Sequence, residues 1–382
     1  MTAALAGPGY GFGLYVHWPY CARICPYCDF NVYAAKDRDT GPLVAAMLRD
    51  LEAHAERLGD HPPLDSVFLG GGTPSLMAPA EIDALLGAAD RLFGLSSAEI
   101  TIEANPNDAT IERLQAWREA GVTRLSLGVQ SFDDDALKFL GRDHTGADAR
   151  RALGEALSAF ASVSADFIYA RPDQTAGQWA AELADILAAG AQHLSLYELT
   201  IEPATAFGRA AARGTLTPAG EDAQADLYEL TQAALAAAGF DAYEISNHAA
   251  APEHRSRHNL TYWRSGDWIG IGPGAHGRLT IDSARLATEA ERRPADYVRR
   301  IEEDGVGWAA AGPLAADDIA REVLAMGLRP ADGVQIDRLK CLDKGMAADL
   351  QAQGLIEMAG GRLRLTSAGR LLADQIAAKL AP

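Results

Sequence analysis

With 382 residues, 48% of them hydrophobic, the chain has enough apolar mass for one large folded unit and a smaller one, which excludes a disordered protein. Its 52 Asp and Glu against 34 Lys and Arg give a formal charge of -18 and argue against a nucleic-acid partner, because neutralising phosphates needs a basic face. Residues 1–13 lack a basic start and a sustained apolar core, and no later segment approaches the roughly 20 apolar residues of a membrane span, so the expected location is the cytoplasm, where thiols stay reduced.

A strand-like run at 13–17 leads into Tyr15-Val-His-Trp-Pro-Tyr-Cys21-Ala-Arg-Ile-Cys25-Pro-Tyr-Cys28-Asp-Phe30, which holds three of the four cysteines; Cys341 stands far away near the C-terminus. Thiolates spaced Cys-x3-Cys-x2-Cys can reach three corners of one iron–sulfur cube, and the fourth iron is then open to a small chelating cofactor. The competing readings are a zinc site, buried free thiols or a disulfide. Zinc usually takes four protein ligands as two separated pairs, and no second Cys-x2-Cys is present. The stretch resembles the signature of the radical S-adenosylmethionine (SAM) superfamily, and Tyr15 to Tyr20 is similar to the branch containing oxygen-independent coproporphyrinogen III oxidases and HemW-type heme chaperones. That resemblance implies a 4Fe-4S cluster on Cys21, Cys25 and Cys28 with SAM chelating the open iron.

From there to residue 203 short apolar runs (66–69, 99–103, 124–129, 164–168, 193–198) alternate with helical ones (43–57, 80–92, 109–120, 147–159). With 13–17 this makes six βα units, so the expected fold is α/β, a partial, TIM-like (β/α)6 barrel over 1–203. In such sheets ligands gather at the carboxyl ends of the strands. Gly70-Gly-Gly-Thr-Pro-Ser75 follows the second run, where glycines allow close backbone approach and can offer N–H groups to an anion, or simply make a tight turn. Glu103 and Gln130 close the third and fourth runs, and Arg142 and Asp166 continue the series. Singly, each is more often a cap or loop hydrogen bond; their repetition points to a shared pocket. The resemblance implies that Tyr15, Gly72, Glu103 and His276 line the cluster-bound SAM, and that Tyr27, Thr73, Gln130, Arg142, Asp166 and Thr200 line a second SAM or substrate position.

Residues 204–311 read as an extension of the barrel, with a helix at 221–238 closed by Gly239 and a strand at 241–248. The glycine-rich stretch 256–278 has little helical character and crowds aromatics around His258. Aromatic faces with an imidazole suit a flat macrocycle and its iron, although composition alone favours a polar core histidine with packed rings. His258-Asn259-Leu-Thr-Tyr262-Trp263 is similar to the His-Asn-x-x-Tyr-Trp motif that HemW-type proteins associate with heme. Phe30 stands where the decarboxylating oxidases carry a further cysteine, and points the same way.

The last section, 312–382, shows helical patterns at 317–328, 333–338, 344–353 and 367–379 with a hairpin over 355–365 about Gly360-Gly361, the order of a winged helix. The chain's acidity favours a lid or interaction role for it over DNA contact. Taken together, the resemblance implies a heme chaperone in which SAM cleavage need not occur, with heme, an acceptor hemoprotein such as a respiratory membrane enzyme, and a second copy of the chain as partners. The rival is an oxygen-independent coproporphyrinogen III oxidase of porphyrin biosynthesis; another radical enzyme shares only the barrel.

Overall fold

A computed structural model describes residues 7–35, 39–340 and 342–381, so Cys341 lies outside the described residues. The alternating apolar runs assemble into one sheet of 11 strands. In chain order they are β1 (Phe12–Trp18), β2 (Ser66–Gly71), β3 (Glu99–Ala104), β4 (Arg124–Gln130), β5 (Ser162–Tyr169), β6 (His193–Glu198), β7 (Asn247–Ala249), β8 (Asp267–Ile271), β9 (His276–Ile281), β10 (Ala284–Ala290) and β11 (Trp308–Pro313). Their spatial order is β11-β10-β9-β8-β1-β2-β3-β4-β5-β6-β7.

The expected barrel strands β1 to β6 pair in parallel throughout, each with the next. Helices between them start at defined points because a threonine caps three of them. Thr110, Thr145 and Thr175 each accept a backbone N–H of the first turn of Ile111–Glu119, Gly146–Ala159 and Ala176–Ala188. Their apolar faces close over the sheet, with Trp117 and Trp179 wholly buried.

Three local readings change. The stretch expected to lack helix folds into a helix at Arg257–Trp263, because Ser256 caps it by accepting from Asn259 N. Directly after it β8 adds to the free edge of β1 as a further parallel strand, where Gly270 is needed because a Cβ there would meet His276 O at 2.2 Å. The strand expected over 241–248 is reduced to its end: Glu244 Oε1 accepts from Ser246 N and from the Asn247 side chain, holding a turn, and before β7 only Asp241 pairs, in an isolated antiparallel bridge to Ala249.

The C-terminal section has its own core of Val323, Leu324, Leu350, Leu363 and Ile376. Helices Ala316–Gly327 and Lys344–Ala352 pack with β12 (Val334–Gln335), β13 (Ile356–Ala359) and β14 (Arg362–Leu365), in the sheet order β12-β14-β13. The helix expected at 333–338 is instead β12 and a single 3-10 turn. Gly333 at φ 63 brings the backbone against Leu363 O and lets Val334 pair with Leu363.

Candidate cluster and cofactor site

The cysteines sit on the loop that leaves β1 at the carboxyl end of the parallel strands. Two features fix this loop. Tyr20–Cys21 pairs with Tyr33–Ala34, and the glycine turn after β2 zips onto the loop's base through Gly72 N to Trp18 O (2.7 Å) and Thr73 N to Tyr20 O (2.8 Å). A Cβ on Gly72 would lie 2.7 Å from Tyr20 O and 2.8 Å from Trp18 O, so only glycine allows the two backbones this close. Gly71 N donates to Glu103 Oε2 (3.1 Å). The turn's N–H groups are therefore consumed inside the protein and are not offered to an anion; the glycines serve approach.

Cys21, Cys25 and Cys28 are free thiols that line one cavity of about 620 Å³. Among the described residues no group of three His, Cys, Asp or Glu is gathered as a single metal ion requires. Three thiols facing one space from a short loop fit a cluster, whose corners keep them apart. Burial pushes the Cys28 thiol up to about 11 and also raises that of Cys21, so bonding to iron is what would hold these sulfurs as thiolates.

The same cavity brings together Tyr27, Gly72, Thr73, Glu103 and Gln130 with Arg142, Asp166 and Thr200, from the six strands β1 to β6 and the loops that follow them. Gln130 has φ 65 at an irregularity between β4 and β5, which turns its side chain into the space. Arg142 is held by Asn105 Oδ1 and by Gly128 O (3.1 Å), and its Nη1 donates to Cys25 Sγ at 3.4 Å. Burial pushes Glu103 up to about 8, with the Asp166 carboxylate adding to the shift and the Gly71 N–H opposing it. Asp166 is raised by burial too, though the hydroxyls of Ser126 (2.7 Å) and Ser164 (2.8 Å) donate to it.

Tyr15 and His276 do not reach the cavity wall. Tyr15 lies beneath it with its hydroxyl on His17 Nδ1 (2.9 Å), and His276 is exposed at the start of β9. The aromatic motif also departs from the expected macrocycle face. His258 is buried at the opposite end of the barrel, with Nδ1 on Ser66 Oγ (2.9 Å) and Nε2 on the Tyr262 hydroxyl (2.7 Å), its ring stacked on Phe68. Neither nitrogen is free for iron. Trp263 lies under Arg329 of the C-terminal section, whose guanidinium sits 4.6 Å from the ring. Of the motif, only Asn259 lines the cavity, so the helix Arg257–Trp263 plugs the barrel floor. Burial lowers the His258 imidazole to about 3, and it stays neutral.

The radical SAM superfamily pattern is matched by residues 15–186, and the HemN C-terminal domain by residues 314–372. Heme chaperone HemW of Mycobacterium tuberculosis is 37% identical over 97% of this chain and 94% of its own length. The chain belongs to the HemW family of radical SAM proteins. Radical S-adenosyl methionine domain-containing protein 1, mitochondrial, of Bos taurus is likewise 37% identical to this HemW-family chain, over 95% of it and 86% of the relative. The coproporphyrinogen III oxidase HemN of Escherichia coli shares the fold with a TM-score of 0.82, at 21% identity over 99% of this chain and 92% of its own.

Other wall residues of this HemW-family site escaped the sequence reading: Asn105, Arg124, Ser126, Ser164, His193 and Ser195. A signal was present. Leu125-Ser-Leu, Val163-Ser-Ala and Leu194-Ser-Leu each set one serine between apolar residues on three successive strands, where small hydroxyls keep the barrel interior open and polar. His17 was missed as well. Its Nε2 bonds Asn31 O (2.9 Å), and Asn31 Nδ2 donates to Pro273 O and Arg292 O, tying the cysteine loop to the segments after β8 and β10.

Proposed function

We propose that this chain is a heme chaperone that holds a 4Fe-4S cluster on Cys21, Cys25 and Cys28, binds SAM beside it, and passes heme to an acceptor hemoprotein. The observation that carries this reading is the 37% identity along almost the whole length to a protein named as a heme chaperone, with the three cysteines on one cavity wall. Cluster and SAM together supply one-electron chemistry at the open iron. The chain's part is to keep the three sulfurs inward, to hold Arg142 at the rim of Cys25, and to offer the Glu103 carboxyl to a cationic group of SAM. Thr73, Gln130, Asp166 and Thr200 give the same space a second polar wall.

Heme, an acceptor such as a respiratory membrane enzyme, a homodimeric assembly and the cytoplasm complete the proposal. Among the described residues no helix is long and apolar enough to cross a membrane. The motif His258, Asn259, Tyr262 and Trp263 enters as the plug that shapes the cavity floor. Sections 1–203, 204–311 and 312–382 are proposed as barrel, extension and C-terminal domain, the last lying over the plug.

Anaerobic reconstitution tests this directly. The protein should carry iron and sulfide, develop a Soret band with heme, and leave coproporphyrinogen III unconverted in the presence of SAM and reductant. Conversion to protoporphyrinogen would replace the chaperone reading with the oxidase one.

A further inference from the structure

The cysteine loop has an inner and an outer side. Inside lies the barrel cavity; outside, Arg23, Ile24, Cys25, Pro26 and Cys28 form one bank of an open groove. Cys25 and Cys28 border both spaces, so a single layer of chain separates them. The opposite bank comes from the helices Asp134–Phe139 and Ala206–Ala212, which supply Lys138 and Arg209. Phe207 stacks on Phe139 at 4.8 Å and its N–H donates to Pro26 O (2.9 Å), so the two banks are held as one surface.

Charge singles this face out. The chain has 52 acidic residues against 34 basic ones, yet no acid borders the groove, whereas Arg23, Lys138 and Arg209 do. All three are exposed, and none takes part in an ion pair among the described residues. Arg209 donates only to Ala204 O (2.8 Å). A groove beside the helix Gly146–Ala159 also holds three arginines, but there Arg150 is paired with Asp185 (2.7 Å) and Arg151 with Glu155 (3.1 Å). On the loop, next to Arg23, stands Ile24, a large apolar side chain left 47% exposed.

A cluster that supplies one-electron chemistry has first to receive the electron. A protein carrier is far too large for a cavity of about 620 Å³, and the outer side of the loop is where it can approach the cysteines. We infer that the groove behind the cysteine loop docks a small acidic protein with a one-electron cofactor, its carboxylates on Arg23, Lys138 and Arg209 and an apolar contact at Ile24. The inference rests on the cluster of the chaperone reading and adds the source of its electron. One electron leaves the partner's reduced flavin or iron–sulfur centre, which is oxidised, and enters the cluster, which is reduced; no bond breaks, and only the electron crosses the loop. Unpaired cations beside a small apolar contact suit a transient, salt-sensitive encounter. The charge of -18 repels an acidic partner from the rest of the surface and so helps to orient it. Within the roughly 8–10 Å reach of charges at physiological salt, that partner meets uncompensated positive charge at this groove.

The test uses the anaerobically reconstituted holoprotein and two acidic probes, a flavodoxin and a plant-type ferredoxin. Dissociation constants are measured with the oxidised probes at low salt, and cluster reduction by the reduced probes is followed by stopped-flow absorbance. For at least one probe, Lys138→Glu/Arg209→Glu should bind roughly tenfold or more weakly and slow reduction by a similar factor. Arg49→Glu/Arg118→Glu, the same change in net charge on two other helices, should stay within about twofold of wild type. Iron content, SAM binding and reduction by dithionite, which needs no docking, should be alike in all three. The milder Lys138→Gln/Arg209→Gln pair, expected about threefold weaker, serves if charge reversal disturbs the fold. Equal affinity and rate in all variants, or a wild type that binds neither probe, overturns the docking site and leaves the chaperone reading standing. A reconstituted chain without iron overturns the cluster first. Unchanged donor binding with lost binding to phosphatidylglycerol vesicles would assign the groove to a lipid surface instead.

Discussion

Arg142 reaches across the barrel mouth to place its Nη1 3.4 Å from Cys25 Sγ, while Asn105 and Gly128 hold the other end of the guanidinium. A fixed positive charge beside a cluster sulfur favours the reduced, more negative cluster. Arg142→Ala should lower the cluster's reduction potential by an amount on the order of tens of mV, as measured by redox titration followed by EPR. Arg142→Lys keeps the charge without the fork and should fall between the two. An unchanged potential in Arg142→Ala would leave the arginine with only a ligand-facing role.

Glu103 is buried with an affinity for its proton raised to about 8 from the ordinary 4.5. The folded chain then binds a proton that the unfolded chain has released, so this group's contribution to stability is full below about 4.5 and is lost as pH rises through about 8. A cation placed against the carboxyl reverses the preference. SAM affinity should therefore increase as pH rises through that range, and Glu103→Gln should flatten both profiles, as read by calorimetry and by thermal unfolding at stepped pH.

Removing His258 leaves the hydroxyls of Ser66 and Tyr262 without their partner and empties a space against Phe68. His258→Ala should cost about 2–4 kcal/mol in denaturant unfolding. The imidazole's own titration runs the other way from that of Glu103. Held neutral by burial down to about 3, it gives stability that is full above about 6.5 and is lost as pH falls toward 3. His258→Ala should thus be less acid-sensitive than wild type although less stable at neutrality. Heme affinity should change little once the two proteins are compared under conditions where both are folded.

Gly72→Ala forces a methyl into the carbonyls of Trp18 and Tyr20, which are backbone and cannot swing away. The expected result is a displaced cysteine loop and at least half of the reconstituted iron lost (~50%), measured as iron per chain after anaerobic reconstitution. Gly87→Ala, in the helix Pro79–Phe93 with nothing within 4 Å of the new Cβ, should retain iron and gain about 0.5–1 kcal/mol of stability.

Local pattern alone carried much of the molecule. The alternation of runs gave β1 to β6 and the helices near 43–57, 80–92, 109–120 and 147–159, because each run's period is set by neighbours a few residues away. The Cys-x3-Cys-x2-Cys spacing likewise marked the cluster loop, since three ligands within eight residues need only a turn to face one centre. Tertiary structure alone decided what lies far apart in sequence. It set the helix Arg257–Trp263 into the barrel floor, turning His258 from a candidate iron ligand into a doubly bonded plug, because Ser66 is brought to it across 192 residues. It also added β8 beside β1, and it set Lys138 and Arg209 behind a loop that begins more than a hundred residues earlier. Spacing fixes what a short segment can hold; only the assembled sheet decides which distant side chains surround it.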